Sequence, residues 1–101
     1  MKVAYKKDVK TILNVYGIYW HDDKTYFCVS PANYNGLLAC SYKDMLIVDN
    51  SIGPDFIFLE TSNHIHKIFH KELSDEKFLN DLLELNESAY KKFVSLLGGE
   101  P

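Results

Sequence analysis

The sequence contains neither arginine nor glutamine: all 11 basic residues are lysines, set against 14 acids for a formal charge of −3 over 101 residues. Arginine supplies the planar donor fork that reads carboxylates, phosphates and guanine edges, so its absence argues against a sequence-specific nucleic-acid reader or a phosphoryl-transfer enzyme. Glycine is sparse too. Of five glycines only Gly98 and Gly99 adjoin, at the end of a helical stretch, which leaves no phosphate-binding loop and no dinucleotide fingerprint. Two cysteines, Cys28 and Cys40, cannot make a disulfide framework, and their apolar neighbours predict buried thiols in a reducing compartment. No apolar run approaches the ~18 residues of a membrane span, and the lysine-rich start has no signal-peptide core behind it. The expectation is a cytoplasmic protein with no membrane partner.

What is present suits one globular domain, 1–101, with 47% hydrophobic and 25% charged residues, enough to build a real core but too short to divide. Charge is unevenly spread. Residues 1–11 carry four lysines and one aspartate; 12–60 carry six acids against Lys24 and Lys43; 61–101 carry seven acids against five lysines. The middle of the chain is the acidic part, and the basic arm of Lys2, Lys6, Lys7 and Lys10 reads as a solvated start, so no nucleic-acid partner is expected.

From Ile12 to Trp20 the residues are almost all β-branched, aromatic or otherwise apolar, which predicts a strand covered on both faces. Tyr5, Val9, Ile12, Leu13 and Tyr16 also fall at helical spacing, leaving open whether residues 5–16 begin as helix or strand. His21-Asp22-Asp23-Lys24 predicts a turn, with Thr25 to Val29 as the returning arm of a hairpin. Further strands are expected at 37–41, 44–48 and 55–60, giving about five in a meander. After Thr61 the period changes. Ile65, Ile68, Phe69 and Leu73 mark one helical face with Ser62 or Asn63 as cap; Ser74 caps a second helix, 75–85; Asn86 caps a third, 87–97, ended by Gly98-Gly99. Strands first and helices after predict an α+β fold: a mainly antiparallel sheet in the first 60 residues packed against C-terminal helices.

The chemistry-bearing residues do not form a motif. His66 and His70 would share a helical face, a spacing that can bind a transition metal, but structural zinc needs four convergent ligands and His64 lies round the helix from both. No metal, cofactor or catalytic residue is therefore expected. A small metal-dependent or hydrolytic enzyme using His66 and His70, or a structural assembly subunit, stays as an alternative. What remains is surface. Trp20, Asp22, Asp23, Tyr34, Asp44, Asp49 and Asp55 combine aromatic anchors with carboxylates that suit a basic protein partner.

A mildly acidic chain of this size, with Tyr16-Gly17-Ile18-Tyr19-Trp20 entering a hairpin and paired C-terminal helices, resembles the immunity proteins of bacterial toxin systems, of the contact-dependent growth inhibition type. The resemblance implies a non-enzymatic role: binding a cognate protein toxin, in many cases a basic nuclease, and blocking its active site.

Overall fold

The computed structural model describes residues 1–60 and 66–99. Seven strands come first, β1 (Lys2–Tyr5), β2 (Asp8–His21), β3 (Lys24–Val29), β4 (Leu38–Ser41), β5 (Met45–Asp49), β6 (Phe56–Glu60) and β7 (His66–His70), then two helices, α1 (Glu76–Leu83) and α2 (Glu87–Leu96). The fold is α+β, with an antiparallel sheet followed by the two C-terminal helices.

β2 organises everything else. Its first half pairs with β1, Val3 opposite Leu13 and Ala4 opposite Ile12. Residues 17–19 pair with both β3 and β7, so these two strands must flank opposite edges of β2. The register slips between Val15↔Val29 and Gly17↔Cys28, leaving Tyr16 as the extra residue of a bulge. A bulge shifts the two-residue alternation of a strand by one. Leu13, Val15 and Ile18 consequently share one core with Val3, Phe27, Val29 and Met45. Tyr16 joins the other core, with Cys28, Leu37, Phe69 and the helical Phe78, Leu79, Leu82, Ala89 and Phe93. Around the first core the strands run β4-β3-β2-β1-β5, and a 3-10 turn, Tyr42–Asp44, joins the two outer strands of that order. The Lys6 N–H donates to the Asp44 carbonyl at 3.0 Å, so this turn sits against the β1–β2 turn.

The helices are joined by one corner. Asp75 caps α1 through the Lys77 N–H, and Asn86 caps α2 by accepting from the Ala89 N–H at 2.9 Å. Each helix ends in a Schellman motif: Asn86 N–H to Asp81 O and Leu85 N–H to Leu82 O in α1, Gly99 N–H to Val94 O and Gly98 N–H to Ser95 O in α2. The left-handed position is Leu85 (φ 62°) in one and Gly98 (φ 76°) in the other.

The expected antiparallel sheet has six strands before residue 61, Lys2–Tyr5 forming one of its own, and a seventh after it. The open question over residues 5–16 resolves as a turn and strand. One expectation is corrected. Of the stretch expected as a first helix, 65–73, the described residues 66–73 are strand β7 followed by a 3-10 turn, Lys71–Leu73. Ile68 there pairs with Ile18 and Phe69 with Gly17, so successive apolar side chains serve opposite faces, an arrangement whose spacing mimics a helical stripe over so short a run. Its expected caps, Ser62 and Asn63, lie outside the described residues. Among the described residues no helix is long and apolar enough to cross a membrane.

Candidate functional site

The β2–β3 hairpin carries the densest group of predicted site residues. His21 pairs with Lys24, leaving a two-residue loop in which Asp22 (φ 50°) and Asp23 (φ 62°) both have left-handed backbone, the geometry of a type I′ turn. The twist of a type I′ turn matches that of the strands, which is why so short a loop closes this pair. Both carboxylates stand in solvent, Asp22 within 3.3 Å of the His21 Nε2. Trp20, opposite Thr25, remains 39% exposed.

Pairing continues across the sheet from there. Ile18 lies two residues from Trp20 on the same face and is paired with Ile68, which is in turn paired with Phe58. Phe58 is 63% exposed. Trp20 and Phe58 thus lie on the same side of the sheet, with the buried core residue Ile18 between them, and Asp22 and Asp23 stand at the hairpin end. On the opposite face the Tyr19 and Tyr26 rings stack at 5.0 Å, turned toward the helices and stiffening the hairpin.

The other predicted residues lie elsewhere. Asp44 sits by the β1–β2 turn, at the end of β2 remote from Asp22. Tyr34 is half-buried in the loop after β3; burial raises the pKa of the Tyr5 phenol, with Cys40 and then Tyr34 adding to the effect. Asp49, at the end of β5, accepts from the Ser51 hydroxyl at 2.6 Å and its N–H at 2.9 Å, and these bonds hold its carboxyl below the usual range. Asp55 pairs with Lys71 at 3.2 Å. The structure therefore gathers Trp20, Asp22 and Asp23 and separates them from Tyr34, Asp44, Asp49 and Asp55. Phe58 was not among the predicted residues. The run Phe56-Ile57-Phe58-Leu59 has the pattern of a core strand, and nothing local marks Phe58 as its most exposed residue.

The histidine reading loses its helical basis. On β7, His66 and His70 stand four residues apart along an extended chain, roughly 13 Å. His70 Nδ1 accepts from the Glu72 N–H at 3.2 Å, and its ring meets Tyr16 and Phe56 edge-on, a structural placement. His64 lies outside the described residues. Among the described residues no group of three His, Cys, Asp or Glu is arranged to hold a metal ion. Burial pushes the Cys28 thiol up to about 12, so it carries no thiolate near neutral pH.

No family model, curated protein or solved structure matches the chain.

Proposed function

We propose that the chain is a toxin-neutralising immunity protein, which binds a basic nuclease domain across its active site through the β2–β3 hairpin. The observation that carries this reading is the exposed Trp20 beside Asp22 and Asp23 at the end of the β2–β3 hairpin. A nuclease must present cations where phosphates bind. Two adjacent carboxylates on a rigid two-residue turn can occupy such a site as fixed anions, while a tryptophan next to them supplies the large apolar contact that slows dissociation. The division of labour follows from placement: the carboxylates, fully in solvent, steer encounter, and the ring anchors the complex.

The test is co-expression of the chain with the toxin encoded beside it, followed by binding kinetics. Trp20→Ala is expected to raise the dissociation rate about 30-fold, the equivalent of the ~2 kcal/mol of a hot-spot side chain. Asp22→Asn with Asp23→Asn is expected to slow association and flatten its salt dependence, while Asp44→Asn and Asp55→Asn leave both unchanged. Full protection and unaltered kinetics in the Trp20 and Asp22/Asp23 variants would overturn the proposal.

A further inference from the structure

On its helix side the sheet carries a groove that the proposed toxin contact does not use. Two cross-strand rows make its floor, Tyr26, Tyr19 and Lys67 in one and Cys28, Gly17 and Phe69 in the next. Residues directly opposite one another share a face, and Tyr19, Cys28 and Phe69 set this one toward the helical core. Leu79 and Leu83, one turn apart on α1, close the far side. The space between is about 200 Å³. An apolar cavity of roughly 150 Å³ already takes a benzene ring, so one ring with a small substituent fits here.

The charge in the groove is one-sided. Lys67 lines it half-buried, and among the described residues no carboxylate pairs with that lysine. His21, at the mouth, already has its Nε2 within 3.3 Å of Asp22. None of the described residues lining the groove is acidic. The Cys28 thiol on the floor is neutral too, since burial pushes it up to about 12 although the Lys67 charge opposes that shift. Lys67 therefore acts on the groove and not only on the solvent around it. Tyr19 bears on the shape of a ligand: Tyr26 stacks on one side of its ring at 5.0 Å, and Lys67 is its neighbour on the other side of the row. A flat ring entering from the Lys67 side continues that stack.

We propose that this groove binds a small aromatic monocarboxylate, its ring among Tyr19, Phe69 and Leu83 and its carboxylate on the Lys67 ammonium. Concave, mostly apolar walls with one placed polar group are the usual make-up of a small-molecule site. A single ring suits the volume, and a single negative charge answers the single unpaired cation. A dianion would leave charge unmatched among apolar side chains, at a cost in desolvation. Beside such walls the ion pair is stronger than it is in open water. Trp20 alternates to the face opposite Tyr19 and His21, so the site is separate from the surface proposed for the toxin and stands or falls without it.

The test is titration of the full chain with benzoate, followed by amide chemical shifts in NMR. Saturable binding is expected with a dissociation constant of about 1 mM, in keeping with a ligand of so few atoms, and with the shifts centred on Tyr19, Lys67 and Leu83. Benzyl alcohol, which keeps the ring without the charge, and hexanoate, which keeps the charge without the ring, should each bind about tenfold more weakly. Lys67→Met retains the length of the side chain and should cost benzoate about tenfold while leaving benzyl alcohol unchanged. Leu83 is 37% exposed, so Leu83→Glu should stay folded by circular dichroism and, by setting a carboxylate at the rim, abolish benzoate binding. This second variant reads the site even where Lys67→Met disturbs the strand. No saturable binding, either control binding as tightly as benzoate, or full benzoate affinity in folded Lys67→Met or Leu83→Glu protein would overturn the proposal.

Discussion

Replacing Gly17 by alanine tests the packing that bends β2. In a strand this change ordinarily stabilises by about 0.5–1 kcal/mol, since glycine has the larger conformational freedom to lose. Here the sign reverses. A Cβ on Gly17 would stand 2.3, 2.5 and 2.7 Å from three carbons of the Phe69 ring, far inside van der Waals contact. Phe69 is 1% exposed and belongs to the core it shares with Leu73, Leu82 and Phe93, so the ring has nowhere to step. Overpacking of this kind costs about 1–3 kcal/mol. Set against the ordinary gain, Gly17→Ala is expected to destabilise by about 1–2 kcal/mol and to lower the melting temperature by roughly 5–15 °C for a domain of this size. The assay is urea unfolding followed by circular dichroism, with Phe69→Leu as the second arm of a double-mutant cycle. Once the ring is gone, alanine at 17 should recover its usual advantage, giving a coupling of about 1–3 kcal/mol. A neutral or stabilising Gly17→Ala in the wild-type background, or strict additivity with Phe69→Leu, would refute the account of the bend.

Two further outcomes are expected. Leu85→Gly should stabilise by about 1 kcal/mol, because Leu85 holds the left-handed position that Gly98 fills in the matching motif; a lower melting temperature would mean that its contact at Gly36 outweighs the backbone strain. Stability should also fall as pH rises above 9, where the unfolded Cys28 thiol ionises while burial holds the folded one at about 12, and fall further above 10. Burial holds the phenols of Tyr16 and Tyr19 above their ordinary 10.0 in the folded state, so the unfolded chain releases their protons first and is favoured as they ionise. Below 10 this contribution is fully present, and Tyr16→Phe should flatten the alkaline loss of urea resistance.

Which parts of this fold could be read from residues alone follows from how local each cause is. The β2–β3 hairpin was legible because Asp22-Asp23 punctuates two aromatic, β-branched runs, and the α1–α2 corner because Asn86 and Gly98-Gly99 carry the chemistry of a cap and a stop. The helix at 65–73 was misread for a different reason: over so short a run Ile68 and Phe69 fit a helical stripe, although the strand turns the half-buried Ile68 and the buried Phe69 to opposite faces. The bulge at Tyr16 was equally hidden, since it depends on register against β3. The candidate site shows the same limit. Trp20, Asp22 and Asp23 are neighbours in the chain and were found together, whereas Phe58 reaches that face only through the ladder β2-β7-β6. Counting acids between residues 12 and 60 treated as one surface what the fold distributes, with Asp44 and Asp22 at opposite ends of β2.

The hairpin turn itself bears on why those carboxylates are there. A type I′ turn asks for left-handed backbone at both central positions, and Asn-Gly meets that demand with less strain than two aspartates. Asp-Asp also brings two like charges together, and the contact with His21 lies in solvent, where an ion pair contributes little. Leu85, an apolar residue also held left-handed, packs against Gly36. Asp22 and Asp23 stand exposed in solvent, so burial does not offset the left-handed backbone they hold. Strain kept without a packing return is a feature of surfaces that serve a partner. It is at this turn, rather than in the summed charge of the segment, that the sequence departs from what its own fold favours, and the departure is anionic and exposed and stands beside the tryptophan.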